Sequence, residues 1–167
     1  DITLNLFYAT DFADRLEKEI LPALRAGFVC LTDRYIYSVI ARAMVRGVDY
    51  GWLRELFGFA LVPDAVFYLE ADLDHLIPRV LVGEGFDYWE SGMDVLRGDD
   101  IFENYRNYQT KLLAQFRQIG NDHFADVAPG STVQHQTEGP FRVVLADEHH
   151  GALEERASQL AAIKQQL

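Results

Sequence analysis

A single cysteine among 167 residues leaves no disulfide framework within the chain. Cys30, set between Val29 and Leu31, reads instead as a small apolar core residue. Basic residues are scarce, 15 against 26 acidic ones, for a formal charge of -11. That balance excludes a surface that grips long nucleic acid through many phosphates, and leaves room for a small anion in one basic pocket. No apolar run approaches the roughly 18 residues of a membrane span, and no signal peptide opens the chain. A cytoplasmic protein without a membrane partner is expected. Zinc-ligand spacing is missing, since His75, His123 and His135 are scattered and the adjacent His149 and His150 would point apart. Ser38 lacks the partners of a nucleophile elbow. A starting methionine is absent too, and Asp1 opens within an amphipathic pattern, so the residues are expected to be a piece of a longer polypeptide.

What is present suits one core, with 49% hydrophobic and 13% aromatic residues. Leu4, Phe7, Tyr8, Phe12, Leu16, Ile20 and Leu24 recur at helical steps, with Pro22 to bend the helix and Gly27 to stop it. Phe28 to Thr32 reads as a strand buried on both faces, as in a parallel sheet. Helices are expected over 37–45, 50–59, from Leu73 to about Val80 behind a cap at Asp72, and from Ile101 to about Phe124. Ala65 to Leu69 and Phe141 to Ala146 read as further strands, 128–140 as a loop and Gly151 to Leu167 as a closing helix. The glycine-rich stretch at about 82–100 reads as a mobile surface segment. Alternating strands and helices predict an α/β fold, a doubly wound parallel sheet flanked by helices, whose ligands bind beyond the carboxyl ends of the strands.

Asp33 and Arg34 fall at such an end. A carboxylate there can hold hydrated magnesium, and the adjacent guanidinium can fork onto a phosphate. A plain alternative is that Asp33 caps a helix and Arg34 pairs with a surface carboxylate.

The order of motifs adds to this. LFYATDFADRLEKEILPALRAGFVCLTDRYIYSVIARAMVRG, Leu6 to Gly47, followed by PDAVFYLEADLDHLIPR, Pro63 to Arg79, resembles thymidylate kinase and its relatives among the P-loop nucleoside monophosphate kinases. The likeness is good from Leu6 to about Phe116 and rests on element order beyond. It implies a P-loop kinase-like fold over 1–167 with a lid at about 82–100, the cofactors ATP and Mg2+, and a nucleoside monophosphate acceptor. By position it implies that Phe7 packs on the nucleobase, Asp33 lies near magnesium and the acceptor phosphate, Arg34 holds the monophosphate, and Arg79 contacts the donor. FDYWE, Phe86 to Glu90, resembles the lid motif and brings in Asp87, Tyr88 and Glu90. A homodimer through the first helix is also implied.

The departures are specific. No GxxxxGK[ST] cradle for donor phosphates occurs in these residues, so an upstream segment is expected to supply that loop and a central strand. Asp11 stands where the family has an arginine that reaches the thymine edge. Arg42-Ala43 replaces a Tyr-Gln pair after Ser38-x-x-Ala41, and Tyr88 replaces the lid arginine, for which Arg97 is a candidate substitute. Arg42 and Arg46 read either as phosphate or ribose contacts or as solvated helix charges. Three functions follow: an ATP- and magnesium-dependent kinase acting on a deoxynucleoside monophosphate such as thymidylate; a catalytically silent module that binds nucleotide or protein; and a polyphosphate-using kinase.

Overall fold

The computed structural model describes residues 1–83, 85–96, 98, 100–127, 134–136 and 141–147. The expected closing helix at 151–167, much of the 128–140 loop and Arg97 lie outside the described residues. The chain divides into two compact units, 1–62 with 84–119, and 63–83 with 120–167.

The first unit is helical. Helix α1 (Ile2–Arg15) runs through a wide π turn (Leu16–Ile20) into α2 (Leu21–Arg25). Pro22 has no N–H for the carbonyl four residues back, and in the turn before it Leu21 already reaches five residues back, to Leu16 O. Gly27, at φ +85°, ends the helix as expected, with Phe28 N bonding Ala23 O and Gly27 N bonding Leu24 O. The buried face of α1 is Asn5, Ala9 and Phe12, continued by Leu16, while Leu4, Phe7 and Tyr8 stand exposed. The apolar pattern was thus wider than the face that packs. Helices α3 (Tyr37–Val45) and α4 (Tyr50–Leu56) follow, α4 capped by Asp49 Oδ1 accepting from Trp52 N at 2.8 Å. Phe12, Leu16, Ile40, Ala41, Ala43, Leu53 and Phe57 form the core with Tyr108, Leu112 and Ile119 of α6 (Ile101–Val127).

Phe28 to Thr32 is the main correction. It makes no strand ladder among the described residues, and Phe28, Val29 and Leu31 are 68%, 91% and 91% exposed. A strand buried on both faces needs cover on each face and a backbone partner at its edge, which apolar composition alone does not supply. Cys30, expected in the core, is half-buried with its Sγ 3.9 Å from Ile20 O.

The second unit holds β1 (Ala65–Ala71), α5 (Leu73–Val82), β2 (Gln134–Gln136) and β3 (Phe141–Asp147). Its sheet has the order β1-β3-β2, with both pairings antiparallel, β1 against β3 running from Ala65 opposite Asp147 to Ala71 opposite Phe141. The expected parallel sense is not displayed among the described residues. The β2–β3 connection is too short for a crossover, and an apolar run carries no mark of strand direction. Asp72 precedes α5 as expected, yet its carboxylate makes no capping bond; its backbone oxygen accepts from His75 and Leu76. No helix among the described residues is long and apolar enough to cross a membrane.

Candidate active site

Between α2 and α3 the chain turns through Asp33, Arg34 and Tyr35. Arg34 and Tyr35 have φ of 60° and 46°, a left-handed conformation costing a residue with a side chain roughly 1–2 kcal/mol. Tyr35 anchors it. Its ring meets Phe12 edge-on with centroids 5.0 Å apart, its hydroxyl donates to Leu61 O at 2.8 Å, and its N–H closes on Asp33 O at 2.5 Å. Burial pushes the Tyr35 phenol pKa up, so the anchor stays a neutral donor. Such backbone strain persists where the surroundings over-determine it, as the Tyr35 anchor does here. The turn leaves Asp33 and Arg34 exposed, with neither charged group engaged by another described residue.

Ser38 and Arg42 share one ridge of α3 by their four-residue spacing, and Arg46 stands at the C-cap of that helix. The two arginines differ in commitment. Arg46 spends four of its five N–H donors inside the protein: Nε and Nη2 on the Asp94 carboxylate at 2.9 and 3.2 Å, Nη1 on Tyr108 Oη at 2.9 Å and on Arg42 O at 3.1 Å. Its carbon Cζ also lies 5.5 Å from the Tyr108 ring centroid. Burial works against the charge, but the bonds to Asp94 and Tyr108 outweigh it and raise the pKa further, so Arg46 is a permanent cation. Among the described residues the Arg42 guanidinium has one ion pair, with the Glu90 carboxylate at 3.7 Å, and both side chains are over a third exposed. Its donors remain available for a ligand.

Glu90 and Asp94 belong to the glycine-rich stretch, whose described part, 85–96, is docked on α6. Asp87 Oδ1 accepts from Trp89 N and Glu90 N, Gln109 Nε2 donates to Glu90 O at 2.9 Å, and Phe86 packs on Phe102 and Tyr105. Gly92, at φ +62°, lies so close to α6 that a Cβ there would sit 2.3 Å from a Tyr108 ring carbon. Tyr88 and Trp89 are exposed and meet edge-on.

On α1, Phe7 is 69% exposed, and one turn later Asp11 is held by Arg15 through an ion pair at 2.5 Å. Arg79 is in the last turn of α5 and belongs to the second unit. Asp94, Tyr108 and Gln109 were not foreseen. A signal existed for Asp94: carboxylates at 90 and 94 repeat the spacing of arginines at 42 and 46. Tyr108 was hidden inside an ordinary helical apolar pattern. Among the described residues no cluster of three or more His, Cys, Asp or Glu could hold a metal ion.

A family model described as thymidylate kinase matches residues 1–119. The chain belongs to the thymidylate kinase family. The family carries the P-loop kinase fold as its coarse architecture; the first unit described here supplies helices of it without the sheet. A Saccharolobus solfataricus protein named "Probable thymidylate kinase 2" is 35% identical over 122 residues, 72% of this chain and 57% of that protein. A Pyrococcus abyssi protein named "Probable thymidylate kinase" is 39% identical over 68% of this chain and 53% of its own length. The "Thymidylate kinase" of Brachyspira hyodysenteriae is 33% identical over 61% and 51%. The chain spans about half the length of these curated relatives.

Proposed function

We propose that this thymidylate kinase family chain carries the acceptor side of a nucleoside monophosphate kinase, with thymidylate as acceptor and ATP as phosphoryl donor. The observation that supports it most is the strained Asp33–Tyr35 turn, which spends backbone energy to present a carboxylate and a guanidinium that no other described residue uses. Phosphoryl transfer asks a protein for charge neutralisation and alignment more than for covalent help, and uncommitted arginines of fixed charge suit it. Arg34 would hold the monophosphate and Arg42, with Ser38, would add a contact one turn along α3. Phe7, exposed on α1, would stack on the base. Asp11, Arg15-bound, would face its edge. Arg79 is a candidate for donor contact on the family resemblance alone.

Asp33 fits magnesium, an ion bound by one or two carboxylates with water and substrate oxygens rather than by an all-protein cage. When bound, that ion would neutralise charge on the phosphates. The donor needs a backbone cradle of the GxxxxGK[ST] type, which these residues do not contain. The exposed Phe28 to Thr32 run, which is apolar and makes no strand ladder among the described residues, would receive a strand leading into such a loop. The exposed Leu4 and Tyr8 of α1 would form the contact between two copies.

The test is ADP formation by the native polypeptide given ATP, magnesium and thymidylate. Turnover that requires thymidylate, with kcat/KM reduced about 100-fold in Arg34→Ala, is expected. No turnover with any nucleoside monophosphate, or full activity in Arg34→Ala, would overturn the reading.

A further inference from the structure

Arg42 and Arg46 look equivalent in sequence, but among the described residues Arg46 has four of its five donors engaged and Arg42 has one long ion pair. The partners of both come from one turn: Asp94 grips Arg46, and Glu90, four residues earlier, stands opposite Arg42. Backbone bonds tie these positions into one unit, with Ser91 N on Asp87 O, Leu96 N on Gly92 O at 2.7 Å, and Gln109 fastening Glu90 O to α6. Of the Arg46 and Asp94 side chains, 14% and 21% remain exposed, so their fork is shielded from water, whereas the Arg42–Glu90 pair is half in solvent and too long for a hydrogen bond. The inner pair therefore carries the fixing and the outer pair is the one a ligand can rearrange.

We infer that Asp94 is a positioning residue for ligand binding: by forking onto Arg46 it pins the 88–95 turn, and thereby sets Glu90 against Arg42 and keeps that guanidinium ordered for an anionic substrate. This rests on the kinase reading for the identity of the ligand, a nucleoside monophosphate. A long arginine side chain that is already confined loses less freedom on binding, and confinement of one or two side chains is worth up to about tenfold in affinity. The opposing electrostatic groups at Arg42 are few: at the cap of its helix Arg46 has its charge matched by Asp94, and from the packed turn only Glu90 faces it among the described residues.

A double-mutant cycle read by calorimetric titration of thymidylate into the native polypeptide tests this. Asp94→Asn is expected to weaken binding about fivefold to tenfold when Arg42 is present and to have no further effect in the Arg42→Ala background, while amide exchange over 88–95 quickens. Arg46→Lys, which keeps the charge but cannot fork, gives the same pattern with a smaller loss and serves where Asp94→Asn does not fold. Equal losses in both backgrounds, or unchanged binding in Asp94→Asn, overturn the proposal. Thymidylate binding with a non-additive cycle but no ADP formation removes the kinase reading and leaves this proposal standing. Thymidylate-dependent ADP formation with additive losses does the reverse.

Discussion

Residues 28–35 and 85–96 are connecting segments of the same unit that are secured in opposite ways. The first carries Phe28, Val29 and Leu31 into solvent, and its side-chain anchoring among the described residues is concentrated near its end, where Tyr35 reaches Phe12 and Leu61. The second is rich in glycine and acidic residues, yet it is fastened along its length by Asp87, Gly92, Asp94 and Gln109. Apolar side chains secure a segment only when something covers them. Polar ones secure it wherever the facing surface offers matched donors and acceptors. The result is an exposed charged turn at Asp33 and Arg34 that is anchored on its Tyr35 side.

The comparison breaks most visibly at Gly92. Gly92→Ala adds a Cβ 2.3 Å from the Tyr108 ring in a backbone conformation that disfavours side chains, so a stability loss of about 2–4 kcal/mol by denaturant titration is expected. Gly85→Ala is its control: φ is +83° but nothing lies within 4 Å, so only the conformational cost of roughly 1–2 kcal/mol should appear. Equal losses would show that segment 85–96 is not pressed against α6. Tyr108→Phe keeps the ring and removes the oxygen that accepts from Arg46, with an expected loss of about 1–2 kcal/mol.

A pH series sharpens the other side. Burial first, then the neighbouring Tyr35 and Tyr50, push the Tyr37 phenol well above its ordinary pKa. Above about pH 10 an unfolded chain releases this proton while the native state keeps it. Stability from Tyr37 is therefore whole below that pH and falls as pH rises through the window up to the native pKa. Thermal melts of Tyr37→Phe should lose less stability on alkalinisation than the parent, and parallel curves would contradict the burial. Smallest of all, Leu31→Ser at a 91% exposed position should change stability by no more than about 0.5 kcal/mol.

Helix existence was readable wherever apolar spacing coincided with a stop or cap. Gly27, Gly47 and Asp49 stand where their residue types predict, and α3 has the expected bounds. The Asp33–Arg34 turn was found from its place after an apolar run and from the family likeness. What could not be read was pairing. Nothing in FVCLT states which backbone lies beside it, and FRVVLA satisfies a parallel or an antiparallel ladder equally well; β3 runs antiparallel to β1. The split between Arg42 and Arg46 was equally hidden, because it depends on side chains 48 and 62 residues away along the chain from Arg46. The composition of the glycine-rich stretch likewise does not register that Gly92 allows close approach to Tyr108.

Hydrogen–deuterium exchange of the native polypeptide, with and without thymidylate, tests the central contrast most directly. The account predicts protected amides over 88–95 in the free protein, and slowed exchange over 33–42 when thymidylate is added. Rapid exchange over 88–95 together with no thymidylate effect at 33–42 would contradict it.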